Sequence, residues 1–362
     1  MQYYDFRMPP AAKTMNQEDP MNVIDMHCDT IARLYSENNS ASLRHNSFHI
    51  DLEKLQKGGY LLQNFALFVD QRETNHPLET GLALADLYDR ELLKNQDLIA
   101  PVLFREDICE NEKNRKLSAL LTLEEGEILN GSLANLRIFY RLGVRMIALT
   151  WNYDNQIGSP NLQFDEQGEP LFSARSRQGL TDFGIELIRE MERLGILIDV
   201  SHLSDGGFYD VLKHTSAPFV ASHSNAAAVC NVCRNLTDDM IRALAERGGV
   251  MGLNFCTDFL REPTRETHTA MGGTITAASM PVSTISQMVR HLRHISNTGG
   301  IEVCALGSDF DGISNGVEFT DASGIQALAD ALSVNGFSTS DIEKIFYQNV
   351  LRVYHDVLPG RS

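Results

Sequence analysis

The sequence predicts an α/β fold, a (β/α)8 barrel of the TIM type, and three observations carry that expectation. Short aliphatic or β-branched runs recur eight times along the 362 residues. Helical patterns separate them, and several of the runs are apolar without alternation, as parallel strands buried on both faces are. No linker, repeat or low-complexity segment divides the chain, so residues 21–362 read as a single domain and 1–20 as an N-terminal extension or arm.

In chain order the candidate strands cover 23–26, 61–69, 119–123, 145–150, 196–200, 219–222, 250–255 and 303–307. Ahead of the fourth, 133–142 reads as a helix closed by Gly143. Between the fourth and fifth, Phe183, Leu187, Ile188, Met191 and Leu194 make one helical stripe, with Thr181 or Asp182 to cap its start and Gly195 its end. Near the C-terminus Ser340 and Glu343 fit a capping box that opens a helix running to about Asp356. An open doubly wound sheet shares this local pattern, but eight alternations favour the barrel. Two long polar loops, 155–178 and 261–278, follow candidate strands four and seven and so would overhang the C-terminal face, where barrel enzymes carry their chemistry.

Composition narrows the function. A net charge of −17 without a Lys/Arg stripe argues against a nucleic-acid partner, because phosphate neutralisation needs basic clusters. No apolar run reaches the roughly 20 residues of a membrane span, and the first 20 residues lack the apolar core of a secretory signal. The six cysteines are scattered rather than arranged as a disulfide framework. Cys230 and Cys233 form a lone CxxC, which lacks the second pair of a four-thiolate zinc site. A cytoplasmic enzyme is the expectation.

The strand ends carry the chemistry. The first run ends in IDMHCDT, so His27 and Asp29 sit two residues apart and face the same way in an extended segment. The third ends in LLTLEEGE, with Glu124 and Glu125 before Gly126. The fifth and sixth end in IDVSH and VASHS, placing His202 and His223 at equivalent positions on neighbouring strands. The eighth ends in GSDFDG, with Asp309 and Asp311. A lone histidine beside an apolar run is more often a hydrogen-bonded core residue than a ligand, and an acidic strand end is usually just solvated. All of these at one end of the barrel supply imidazoles and carboxylates enough for two cations, with a further carboxylate for proton transfer. Mixed N/O ligation suits zinc, with manganese or cobalt as substitutes.

These segments, with LRIFYRLGVRMIALTWN and GLTDFGIELIREMERLGILIDVSHLS, resemble in order the renal (membrane) dipeptidase family of binuclear zinc peptidases, from about Val23 to QNVLRV near the C-terminus. The resemblance implies a (β/α)8 barrel that hydrolyses dipeptides, including those with a C-terminal D-residue, by attack of a metal-bridging hydroxide. It implies that His27 and Asp29 hold one zinc, His202 and His223 the other, and that Glu124 bridges them. It gives Asp309 the role of catalytic acid/base and Arg234, eleven residues after His223, that of binding the substrate's carboxylate. It also implies a homodimer, as family members often are. Two positions depart. LEEGE puts Glu125 where the family has the first Gly of Glu-Gly-Gly, and LTWN puts Trp151, beside Asn152, where the family has a substrate-contacting His. Trp151 and Asn152 are therefore expected to meet substrate and to supply neutral donors in place of an imidazole. The competing expectation is another binuclear amidohydrolase, such as a lactonase or deaminase, many of which open with HxH where this chain has His27-Cys28-Asp29. A non-catalytic binding barrel would be expected to have lost ligands, and all six positions are filled.

Overall fold

A computed structural model describes residues 20–37, 41–261 and 281–361. The arm expected over 1–20 and most of the 261–278 loop fall outside the described residues. Eight parallel strands close into a barrel: β1 (Val23–Asp25), β2 (Tyr60–Phe68), β3 (Leu117–Glu124), β4 (Val144–Ala148), β5 (Leu197–Asp199), β6 (Val220–Ala221), β7 (Val250–Leu253) and β8 (Cys304–Leu306). Their order around the ring is the chain order, except that β1 lies between β8 and β2, which is the same circle closed. The pairing of β2 with β3, from Leu62↔Ser118 to Phe68↔Glu124, completes the ring and excludes the open sheet. A further short strand, Ile99–Pro101, which the sequence reading missed, pairs with Leu117–Ala119 at the start of β3.

The barrel wall is buried on both faces and mostly apolar, with a few partnered polar side chains such as Asn64 and Asp199. Ile24, Leu62, Leu120, Met146, Leu197, Val220, Val250 and Ala305, one from each strand, form a layer against Val350, Val353 and Tyr354 of the C-terminal helix Asn349–Val357. The Tyr354 hydroxyl donates to Asn64 Oδ1 (3.0 Å) and so is not left unpaired in the core. The larger apolar cluster lies between the strands and the surrounding helices.

The helix Asp182–Leu194 starts where Thr181 Oγ1 accepts from the Gly184 N–H and ends at Gly195 in the left-handed region, burying Leu187, Ile188 and Met191. The helix Leu133–Arg141 is capped by Ser132. The C-terminal capping box differs from expectation: it is Ser338 with Asp341, two residues earlier than Ser340 with Glu343, and the helix Thr339–Glu343 passes through a π-turn, Lys344–Gln348, before Asn349–Val357. Ser338 has extended backbone and so can turn its hydroxyl onto the Asp341 N–H (3.1 Å), whereas Ser340 already lies inside the helix. No helix among the described residues is long and apolar enough to cross a membrane.

Gly307, just past β8, lets the β6 end come close: a Cβ there would overlap the Ser222 carbonyl oxygen and press on His223 Cα. Gly307→Ala is therefore expected to destabilise the fold by about 1–3 kcal/mol, the usual range for overpacking, read as a lower midpoint in denaturant. An unchanged midpoint would contradict this account of the β6–β8 approach.

Candidate metal centre

Six of the residues singled out at strand ends, His27, Asp29, Glu124, His202, His223 and Asp309, reach the same point above the barrel, whereas Asp311 turns to Thr30 Oγ1 (2.6 Å) and the His49 N–H (2.8 Å). His27 and Asp29 follow β1, with Cys28 between them turned the other way so that its thiol donates to Asn64 O. Glu124 is the last residue of β3. His202, His223 and Asp309 follow β5, β6 and β8. His202 and Asp309 have positive φ (69° and 62°), as does Glu125 (84°), a backbone state uncommon for residues other than glycine. Strained backbone concentrates here, as it does at functional sites generally.

The Glu124 carboxylate lies in the middle. Its Oε1 is 3.0 Å from His202 Nε2 and 3.5 Å from His223 Nε2. Its Oε2 is 3.1 Å from His27 Nε2, which in turn is 3.3 Å from Asp29 Oδ2 and 3.8 Å from Asp309 Oδ1. One carboxylate oxygen thus faces the His202–His223 pair and the other faces His27 and Asp29. All six side chains are buried or nearly so.

Electrostatics and unmet valences both indicate room for cations. Burial, with Arg234 beside it, drives His202 down to about 3, and burial likewise holds His223 well below the usual imidazole range. Where both neutral rings carry their proton on Nδ1, their Nε2 lone pairs meet at 3.1 Å, a repulsive contact that a cation between them relieves. Burial pushes Asp29 up to about 7, with the neighbouring Glu124 charge adding to it. His27 Nε2 and Asp29 Oδ1 are buried and make no hydrogen bond. Orphaned nitrogen and oxygen lone pairs converging on one volume fit divalent metal.

A second layer orients these groups, and of its members only Asn152 is expected from the sequence, in another role. The Asp199 carboxylate accepts from Ser222 Oγ, which lies 2.7 Å from His223 Nδ1. With Nδ1–H donating to that hydroxyl, Nε2 keeps its lone pair for the centre. Asn152 Oδ1, 3.3 Å from His202 Nδ1, does the same for the other ring. Asn254 Nδ2 donates to Asp309 Oδ2 (2.9 Å). Serines and asparagines near strand ends are too common to single out by pattern.

The centre opens into a cavity of about 1240 Å3 lined by Trp151, Asn152, Arg234 and Asp309 among others. Arg234 is buried; it donates from Nη2 to His223 O (3.0 Å) and from Nη1 to Ser224 Oγ (3.4 Å), while its Nε makes no hydrogen bond. Glu125 points away from the centre, and its carboxylate accepts from the N–H groups of Glu127 (3.1 Å) and Trp151 (3.2 Å) and from Asn155 Nδ2 (2.5 Å). Of the two adjacent glutamates, only Glu124 reaches the imidazoles. Cys230 and Cys233 form no disulfide, and Cys233 lines the cavity.

A sequence profile described as membrane dipeptidase (peptidase family M19) matches residues 12–359. The chain belongs to the membrane dipeptidase family. An uncharacterized dipeptidase of Schizosaccharomyces pombe is 32% identical over 319 residues, covering 84% of this chain and 71% of its own length. An uncharacterized Klebsiella pneumoniae protein, from the pqqA 5' region, is 36% identical over 251 residues, 69% of this chain and 86% of that one. Among solved structures, a Rhodobacter sphaeroides metallopeptidase liganded with a phosphinate mimic of the dipeptide L-Ala-D-Ala superposes with a TM-score of 0.80 at 26% identity, over 94% of this chain and 100% of that one. The metallopeptidase called dipeptidase AC gives 0.79 at 27%, over 94% and 99%. Family membership makes this chain a metallopeptidase, a hydrolase acting on small peptides with divalent metal.

Ser222→Ala is expected to lower metal affinity by about 10–100-fold, the usual cost of losing the partner of a metal-binding histidine, measured by competition with a chromophoric chelator. Unchanged affinity would mean that the Asp199–Ser222 contact does not orient His223.

Proposed function

We propose that this family member is a zinc-dependent dipeptidase in which His27 and Asp29 hold one ion, His202 and His223 the other, and Glu124 both. The placement of Glu124, one oxygen toward each set, supports the bridging role. When bound, the metal pair supplies an activated, hydroxide-like water at neutral pH and polarises the scissile carbonyl.

The observation that carries the reading is Arg234. A buried guanidinium with an unmet Nε, next to the imidazole–carboxylate cluster, is a receptor for a carboxylate. Binding a free C-terminus there places the preceding peptide bond over the cluster. The R. sphaeroides relative's complex with a mimic of L-Ala-D-Ala supports the same reading, with a C-terminal D-residue within the substrate range.

Asp309 is positioned as the acid/base. Asn254 fixes one of its oxygens, leaving Oδ1 on the side of His27, and burial pushes its carboxyl up to about 6, against the pull of His27. A carboxyl poised near the working pH can take a proton and hand it to the leaving amine. Trp151 and Asn152, in place of the family's histidine, offer only neutral donors toward developing negative charge. Six cysteines without a disulfide fit a reducing compartment, the cytoplasm.

Asp309→Asn is expected to cut kcat by about 10²–10⁴ with metal content near wild type, checked by steady-state kinetics beside elemental analysis. Parallel loss of metal and activity would make Asp309 a ligand instead. Arg234→Met is expected to raise KM for dipeptides at least about tenfold, and amidating the substrate's C-terminus to do the same to the wild type. Amidated and free dipeptides hydrolysed at equal rates would remove Arg234 from this role.

A further inference from the structure

Four half-buried aromatic rings run in an unbroken series along one side of the cavity. Phe68 meets Trp151 edge-on with centroids 4.9 Å apart, Trp151 meets Tyr153 at 5.6 Å, and Tyr153 stacks on Phe164 at 5.7 Å and 18°. The Arg72 guanidinium lies over Tyr153 (3.7 Å) and Phe164 (4.9 Å), clamping the outer pair. All five residues line the cavity. The inner end is anchored: Glu125 accepts the Trp151 backbone N–H, and its left-handed backbone is maintained at a position where glycine would be free of strain. Such a wall keeps apolar surface half-exposed, and a ligand that covers it gains the hydrophobic term.

Topology fixes which part of a dipeptide meets this wall. Phe68 is in register with Glu124, and Trp151 follows β4, with its ring 6.2 Å from that of His202. The inner part of the wall, Phe68 and Trp151, therefore rises from the β2–β4 side of the ring, while Tyr153 and Phe164 continue it along the β4–β5 loop, where Asn161 Nδ2 donates to Cys233 O beside Arg234 (3.2 Å). Arg234 follows β6, across the barrel from β2. A dipeptide with its carboxylate on Arg234 and its peptide bond over the cluster extends toward Phe68 and Trp151 with its N-terminal residue. The cavity, about 1240 Å3, exceeds the roughly 300–1,000 Å3 of common small-ligand pockets and leaves space for a large side chain there. Asp70 and Glu73 lie near enough to Tyr153 to add to the burial that raises its phenol, so the surroundings do not favour an acidic side chain despite Arg72.

We infer that Phe68, Trp151, Tyr153 and Phe164 form a specificity subsite for an aromatic or large apolar side chain on the N-terminal residue of the dipeptide. The inference rests on the dipeptidase reading and names its substrate class.

The test measures kcat/KM of the metal-loaded full chain for Ala-Ala, Phe-Ala, Ala-Phe and Glu-Ala, in wild type, Trp151→Ala and Phe164→Ala. Wild type is expected to prefer Phe-Ala to Ala-Ala by about tenfold or more, and that ratio is expected to fall severalfold in each variant. Phe164, on the two-stranded hairpin Gln163–Phe164 and Pro170–Leu171 away from the barrel, serves if Trp151→Ala misfolds. Preference for Ala-Phe or Glu-Ala, or an unchanged ratio in the variants, overturns the subsite while leaving the dipeptidase reading in place. Hydrolysis of none of the four overturns both.

Discussion

Glu124 ends the third barrel strand with its carboxylate enclosed by three imidazoles, and a buried anion in that position is tolerated only where positive charge comes to it. Asp29 and Asp309 add two more carboxylates within a few ångströms of His27, while the nearest permanent cation is Arg234. His202 and His223 are held neutral by burial and contribute lone pairs, not charge. Such a cluster is costly as protein alone and favourable around divalent ions. The remaining features of the open face follow from it: the left-handed turns at His202 and Asp309, the Asp199–Ser222 support behind His223, and the orientation of Asn152 toward His202.

Much of this was legible in the sequence because barrels separate their tasks by position. All eight strands lie where aliphatic runs predict them, since a strand buried on both faces is mostly apolar and admits a polar residue only with a partner, as Asn64 has in Tyr354 and Asp199 in Ser222. The clustering of these side chains was legible because imidazoles and carboxylates recur at one end of those runs and because residues i and i+2 of an extended segment share a face, as His27 and Asp29 do with Cys28 turned away. What escaped was set by tertiary context. Ile99–Pro101 is too short to leave a pattern. The C-terminal capping box was misplaced by two residues because Ser338 and Ser340 both precede an acid three positions on, and only backbone conformation separates them. Ser222 and Asn254 act through contacts with residues on other strands, which no local spacing encodes, and Asn152, expected only to meet substrate, also turns its Oδ1 to His202.

Glu125 and Trp151 are the two departures from the family pattern, and the structure joins them. The glutamate in a glycine's place turns its carboxylate from the metal ligands onto the Trp151 N–H and Asn155, so the change that strains the β3 turn also fixes the loop that replaces the family's histidine. An altered turn and an altered cavity wall thus form one local unit beside the imidazole–carboxylate cluster.

The central claim is that the strand ends build a two-ion centre around Glu124. Its most direct test is the metal stoichiometry of zinc-saturated, desalted protein by elemental analysis, in wild type and in Glu124→Gln. About two ions per wild-type chain, falling to about one or fewer in the variant with the fold intact by circular dichroism, is the predicted result. Fewer than one ion bound to well-folded wild type, or two ions retained without the Glu124 carboxylate, would contradict it.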